Sequence, residues 1–377
     1  MTERCYAVIG PSWPFKGGIA RYTTELYRAL AGHSRALFIS VSRQYPRWLY
    51  PGRGDRAPED RGIFEPSAQP LLDPLNPLSW WRTASAVCAF RPDTVILPWW
   101  HLYWGPAFAG LAVLLRRRCP GLRIIFLCHN VVGHDGGRLA RIASRLVLRR
   151  ADAFLVHGES EERQLRALLG EVVCARVEHP AYAIDRAALP SRDEARKRLG
   201  VESAGPLLLF FGFVRPYKGL DLLLAALAEL QRSQPCRLVV AGECWEPRAT
   251  WEQRVRALGL QDAVYFHDRY IPEQEVATYF AACDAVVLPY RSATGSGVAK
   301  LAMSYGRAVI ATRVGSLAAA IDEGVNGFSV ASGDVAALAA AIRAILEGDR
   351  AGRMGHEAAE SARRHGWDPV LAALEAL

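Results

Sequence analysis

Short continuous apolar runs alternate with longer amphipathic stretches along this chain. In the first half, the runs 5–9, 36–41, 94–98, 123–128, 153–157 and 173–178 predict strands. The stretches 18–31, 80–90, 106–118, 137–150 and 159–169 between them predict helices. A strand that is apolar throughout must be covered on both faces, so the alternation implies a parallel sheet between helical layers. Residues 42–79 break the rhythm with seven prolines and little periodicity. They read as one long loop, a kind of segment that often serves as a lid or substrate loop.

The second half repeats the theme. A buried strand at 206–211 precedes a helix over 218–231, where Leu220, Leu223, Leu224, Leu227 and Leu230 share one face. Further strands fall at 237–241, 263–267, 284–289 and 307–311, and the polar, helical stretch 184–204 separates the two series. The fold class is α/β, with two Rossmann-like, doubly wound parallel-sheet halves around a crevice. Ligands of such sheets bind at the carboxyl ends of strands, so the loops there hold the candidate chemistry.

The 377 residues are 51% hydrophobic and 22% charged, and mean hydropathy is near zero, which excludes a polytopic membrane protein. The most membrane-like stretch, 97–115, is broken by Pro98, His101, Gly105 and Pro106 and reads as strand end, turn and helix. The first residues read as a strand and turn, not a secretory signal, so the cytoplasm is the expected compartment. Eight cysteines without a CxxC or Cys/His cluster read as buried free thiols.

Charge is uneven. Residues 1–184 carry a net +9 and residues 185–377 a net −1. Within the first half, 116–150 alone holds nine Arg against Asp135. One basic segment on a balanced chain suits an anionic small substrate or a membrane surface better than nucleic acid. Arg138, Arg141, Arg145 and Arg149 form one helical stripe beside an apolar stripe of Leu139, Ile142 and Leu146, and Arg116, Arg117 and Arg118 lie nearby. A core-facing helix with a solvated basic face accounts for both stripes. A peripheral contact with an anionic membrane or acceptor, on the inner face of the cell membrane, is the functional alternative.

Four loops carry candidate chemistry. In Phe210–Leu223 a strand ends at Gly212 and a helix follows Lys218-Gly219, with Arg215 and Lys218 between them. Two cations at a strand end beside a helix N-terminus make an anion site; each charged hydrogen bond to phosphate contributes about 1.5–3 kcal/mol. Lys218 is one of only four lysines, with Lys16, Lys197 and Lys300. Thr294, Gly295, Ser296 and Gly297 open another helix with small residues that let a ligand approach backbone N–H groups. Lys16, Gly17 and Gly18 precede the first long helix. Cys128-His129-Asn130 ends a strand, with His134-Asp135 just beyond, and His157 closes the next strand. A strand-end His there suits substrate contact or proton transfer. No GxGxxG, Walker A or GxSxG motif occurs, which leaves nicotinamide, P-loop and hydrolase-elbow chemistry unsupported. The absence of Asp-x-Asp argues against a metal-clamped sugar-nucleotide site.

In their order these pieces resemble the retaining family 4 glycosyltransferases of the GT-B fold. The resemblance runs from the GGIARY helix start through CHN, ADAFLVHGES, FGFVRPYKGLDLLL, ADAVVLPYRSATGSG, GRAVIATRVGS and DEGVNGFSV to the tail Gly366-Trp367-Asp368. It implies an acceptor-binding domain over 1–184, a nucleotide-sugar domain over 185–361, and a helix over 362–377 that packs back on the first. The implied reaction moves a sugar from a UDP- or GDP-sugar to an anionic or lipid-linked glycan acceptor, in cell-surface polysaccharide or glycoconjugate synthesis, with no metal or other cofactor. Carried over by position, His129, Arg215 and Lys218 are catalytic. Gly17, Gly18, Gly212, Arg269, Tyr270, Ile271 and the 294–297 loop bind the donor. The paired glutamates of many members fall on Ala293 and Leu301 here, and the basic residue that often follows the strand-end glycine is Phe213. The alternatives are a non-catalytic partner of this fold or another nucleotide-sugar enzyme, an epimerase or hydrolase.

Overall fold

A computed structural model describes residues 4–46, 48–50, 52–132, 137–201, 205–293 and 295–377. The described chain forms two compact units. The first comprises Met1–Tyr50, Gly54–Glu178 and Trp367–Leu377, and the second Pro51–Arg53 and His179–Gly366.

The first unit is built on seven strands: β1 (Cys5–Ile9), β2 (Arg35–Val41), β3 (Gln69–Leu72), β4 (Thr94–Trp99), β5 (Arg123–Cys128), β6 (Ala153–Val156) and β7 (Cys174–Arg176). They pair in the order β3-β2-β1-β4-β5-β6-β7, with every named pair parallel. Helices α1 (Gly18–Ala31), α2 (Pro77–Phe90), α3 (Gly105–Arg118), α4 (Arg138–Leu148) and α5 (Glu159–Leu169) connect them. The apolar runs are strands because both faces are covered. Ile9, Leu97 and Phe126 pack into one cluster, and Tyr6, Val8, Ile96 and Leu127 into the cluster on the other side. The 42–79 segment departs from a single loop. Its Gln69–Leu72 adds to the sheet as an edge strand, with Ile39 opposite Gln69. Pro70 has no N–H to offer a ladder, which suits an edge.

Two of the eight cysteines are not the free thiols expected from the sequence. Cys88 in α2 and Cys119 at the end of α3 form a disulfide with Cα atoms 5.9 Å apart. The two helices pack side by side, and this brings together cysteines 31 positions apart in sequence. Of the six free thiols, Cys174 and Cys244 are only partly buried.

The second unit repeats the plan with β8 (Leu207–Phe211), β9 (Arg237–Ala241), β10 (Val264–His267), β11 (Ala285–Leu288), β12 (Ala308–Thr312) and β13 (Gly327–Val330). Their order is β10-β9-β8-β11-β12-β13, again parallel. Its helices are α6 (Arg192–Arg198), α7 (Leu220–Leu230), α8 (Arg248–Ala257), α9 (Glu273–Ala282), α10 (Gly297–Ser304), α11 (Val335–Leu346) and α12 (Arg350–Arg364). The leucine face of α7 is fully buried, and each such side chain contributes roughly 1.5–3 kcal/mol. Residues 179–184 pack here: the Tyr182 N–H donates to Ser304 Oγ at 3.0 Å and Ala181 lies in this core. The last helix, α13 (Asp368–Ala376), belongs to the first unit, where Val370, Leu371 and Leu374 pack against Tyr6 and Phe38.

In the second unit the strand order reverses between β8 and β11. The connections leaving those two neighbours diverge, and this is where a doubly wound sheet opens a ligand crevice. The Arg215–Lys218 loop follows β8, and the Gly295–Gly297 loop follows β11.

Candidate active site

The β8 loop is shaped by three glycines. Gly212 has φ of 90°, and a β-carbon there would stand 3.1 Å from Lys218 Nζ and 3.7 Å from Val298 in the first turn of α10. The two loops therefore converge on one point. Gly219 has φ of 68°, and a β-carbon on it would meet the Pro289 carbonyl at 2.0 Å, so the end of β11 presses directly on this turn. Gly242, at the end of β9, lets the Gly212 carbonyl approach to 2.3 Å from its own missing β-carbon. Between Gly212 and Gly219 the chain makes a 3₁₀ turn over Pro216–Lys218, and Gly219 then starts α7.

That turn buries Lys218 to 7% exposure. Its ammonium lies 5.6 Å from the centre of the Tyr290 ring. Burial and, after it, the Arg215 guanidinium both pull its pKa down, to about 7. Among the described residues no carboxylate offsets them. Arg215 stacks on Trp245, 4.4 Å from its ring centre, and on Tyr217 at 4.9 Å. A cation buried without an anion is costly, and the arrangement is suited to receive one.

A clamp that nothing in the local sequence announces fixes the turn. Arg291 donates to both Asp221 carboxylate oxygens at 2.7 and 2.6 Å and to the Pro216 carbonyl at 3.1 Å. The Arg291 N–H donates to the Tyr217 carbonyl at 2.7 Å. The Arg291 hydrogen bond lowers the pKa of Asp221 and outweighs burial, which raises it. Tyr290 is anchored in turn, because its carbonyl accepts from Thr312 Oγ1 at 2.6 Å and Ser332 Oγ at 3.1 Å.

At the other loop, Ser296 caps α10 by accepting from the Ala299 N–H at 3.4 Å. Gly295 and Gly297 leave room that side chains would fill: a β-carbon on Gly297 would stand 3.3 Å from Tyr182 Oη, and one on Gly295 3.1 Å from Ser316 Oγ. Thr294, His134 and Asp135 lie outside the described residues. Leu301 is buried in an apolar cluster against which Ala293 also packs. Those two positions present no carboxylate.

Phe213, at the often basic position, joins an aromatic group. Its ring centre is 5.4 Å from Trp245 and 6.5 Å from Tyr270. The Arg215 guanidinium stacks on the Trp245 of that same group. In the 268–271 loop Tyr270 is half-buried beside Phe213, Arg269 is paired with Glu275, and Ile271 is buried in the core.

In the first unit Gly17 has φ of 105° and is the N-cap of α1, and a β-carbon on Gly18 would meet nothing within 4 Å. His129 follows β5, with its N–H donating to the Trp99 carbonyl at 2.8 Å. Its ring packs edge-on to Tyr22 at 4.7 Å and lies 5.7 Å from His157. Tyr22 also meets Trp367 at 5.0 Å, so the returning tail supports this aromatic cluster. His157 is held through Nδ1 to the Val177 carbonyl at 3.0 Å.

The arginines of α3 and α4 are all exposed: Arg116, Arg117, Arg118, Arg138, Arg141, Arg145 and Arg149. So is the apolar stripe beside them. Leu139, Ile142 and Leu146 are 83%, 50% and 56% exposed, and the core-facing side of α4 is made by Ser144, Val147 and Leu148. The stripe is therefore not explained by packing against the core.

Two parallel-sheet units of this kind, with a cationic strand-end turn and a glycine-rich helix start in the second, are the plan of the GT-B fold. The comparisons agree. Residues 17–179 match the model of the glycosyl transferase 4-like domain, and residues 205–348 that of glycosyl transferases group 1. The D-inositol 3-phosphate glycosyltransferase of Acidothermus cellulolyticus is 30% identical over 94% of this chain and 84% of its own length. D-inositol 3-phosphate glycosyltransferase 2 of Catenulispora acidiphila is 31% identical, over 95% and 88%. Among solved structures, sucrose-phosphate synthase from Thermosynechococcus elongatus superposes with TM-score 0.73 at 20% identity, covering 99% of this chain and 97% of that one. Anabaena HepE, solved with UDP-glucose, gives 0.73 at 18% identity, over 99% and 100%. The chain belongs to the group 1 glycosyltransferases, with a family 4-like N-terminal domain, and is a transferase.

Proposed function

We propose that this glycosyltransferase takes its sugar from a nucleoside diphospho-sugar and delivers it, with retention, to a phosphate-bearing acceptor. The carrying observation is Lys218, a buried ammonium without a counter-anion among the described residues, set against Gly212 where the β8 and β11 loops converge. A diphosphate supplies the missing charge. In the reaction the anomeric C–O bond breaks and its electron pair goes to the departing phosphate oxygen. Lys218, Arg215 and the N–H groups opening α10 stabilise that developing charge, as preorganised donors do, without needing a metal. The acceptor oxygen forms the new bond on the same face, and its proton passes to the departing phosphate oxygen. Tyr270 and Phe213 offer aromatic faces to the base. His129 contacts the sugar or acceptor.

UDP in the solved HepE complexes supports a nucleotide-sugar donor, and the inositol phosphate in the curated relatives' names supports an anionic acceptor. Those names point to a phosphorylated polyol rather than to a polysaccharide. We place the enzyme at the inner face of the cell membrane, with its Arg-rich face toward anionic headgroups. The test is release of nucleoside diphosphate from a panel of UDP-, GDP-, ADP- and dTDP-sugars with inositol 3-phosphate present or absent. Release from one donor, abolished in Lys218→Ala, is the expected result. Neither binding nor release with any donor would sink the reading. Binding without turnover would favour a non-catalytic role, in keeping with Ala293 and Leu301.

A further inference from the structure

Eleven large hydrophobic side chains are exposed among the described residues, and seven of them belong to the α2–α3–α4 side of the first unit. Leu75, Leu78 and Trp81 recur at three-residue spacing into the first turns of α2. Leu139, Ile142 and Leu146 line α4, and Val113 lies on α3 between them in sequence. Scattered exposed leucines need no explanation, but two apolar stripes on the helices that flank α3 do.

Between α2 and α3 runs an open groove of about 420 Å³. Trp80, Trp81, Gly110 and Val113 line it, and Arg150, just past α4, closes one side. Gly110 keeps it open to the indole, since a β-carbon there would fall 2.6 Å from Trp80. Cations stand close by. The Arg118 guanidinium sits 5.2 Å over the Trp81 ring, and the Arg150 guanidinium donates to the Leu146 carbonyl. Arg116 joins the elements by donating to the Arg150 carbonyl at 2.7 Å. Apolar side chains flanked by arginines, in a segment with eight more positive than negative charges, match a bilayer of anionic lipid: acyl chains meet the apolar stripes and phosphates meet the guanidinium groups. An acidic protein with an apolar patch would match the same face, and it is the occupant left if the protein does not prefer anionic vesicles.

We infer that α2, α3 and α4 together form a membrane-docking face that inserts Trp81 and the Leu139–Leu146 stripe into an anionic leaflet. This extends the proposed membrane placement from charge attraction to insertion, and it rests on that placement but not on the donor reading. The full chain is sedimented with vesicles of phosphatidylcholine alone and with vesicles containing about one third phosphatidylglycerol, where binding at least tenfold tighter to the latter is expected. The variants are Leu78→Ser/Trp81→Ser, Leu139→Ser/Leu146→Ser, and Arg138→Gln/Arg141→Gln/Arg145→Gln, each checked for an unchanged thermal midpoint. Each is expected to lose at least fivefold in partitioning, and raised salt to weaken but not abolish wild-type binding. Equal binding to both vesicle types, or none, overturns the inference. So does wild-type partitioning of both serine variants, which leaves surface charge alone. UDP binding by the same samples, measured without vesicles, keeps a failure here separate from a failure of the donor site.

Discussion

The Lys218 ammonium lies 3.1 Å from the position a β-carbon on Gly212 would occupy. The strand-end glycine and the buried cation are therefore one device, in which the missing side chain is the space the ammonium fills. That device stores an unfavourable charge in the ligand-free protein, and it makes the protein's stability and its affinity for an anion respond to the same proton.

Replacing Lys218 with Met is expected to stabilise the ligand-free protein while destroying donor binding. The folded-state pKa is about 7, well below the ordinary lysine value. Between those two values the unfolded chain binds more protons, so the wild type gains stability from this group as pH rises from about 7 toward 10. Below pH 7 the penalty is fully present. The Tm advantage of Lys218→Met should be larger at pH 6 than at pH 9. An advantage that grows with pH contradicts the assignment.

The Arg291–Asp221 clamp holds the turn that carries Lys218. Asp221→Ala should weaken UDP binding about tenfold through loss of positioning, a cost of about 1.4 kcal/mol. Because the Asp221 pKa is lowered, the pair's contribution is present above the ordinary carboxylate range and fades as pH falls through the lowered value. Calorimetric titration of the variant with an unchanged dissociation constant would show that the clamp does not position the site.

Gly219→Ala drives a β-carbon to 2.0 Å from the Pro289 carbonyl at a left-handed position. Both effects oppose folding, and a loss of about 2–4 kcal/mol is expected in urea unfolding. A loss below about 0.5 kcal/mol would mean that the β8 and β11 loops are not in contact.

Tyr270→Ala separates the base from the diphosphate. UDP should bind about tenfold more weakly, while inorganic pyrophosphate should bind as to the wild type, since a stacked base contributes roughly 1–3 kcal/mol. Equal weakening of both ligands would remove Tyr270 from the base site.

Much of this was legible because a covered parallel strand is an uninterrupted apolar run. Residues 5–9 and 123–128, and helix 18–31, coincide with β1, β5 and α1. Two edge strands were not legible. Gln69–Leu72 contains a proline inside a proline-rich segment, and Gly327–Val330 is too short and mixed to stand out beside its polar flanks. Arg215 and Lys218 could be read because they follow a buried strand directly. Arg291 and Asp221 are 70 positions apart, and only the packing of β11 against the β8 loop brings them together. Likewise, amphipathic spacing marked the α4 stripes but gave no direction, and Leu139 proved to face outward.

Lys218 is proposed as the buried cation that meets the donor diphosphate. Isothermal titration of UDP and of GDP at pH 8, in buffers of differing ionisation enthalpy, measures the protons bound with the ligand. With a free-state pKa of about 7 the lysine is mostly neutral at pH 8, so binding should draw in more than about half a proton, and almost none at pH 6. Lys218→Arg, which stays charged, should bind with no uptake at either pH. Binding by the wild type without proton uptake at pH 8, or equal uptake by Lys218→Arg, would contradict the account.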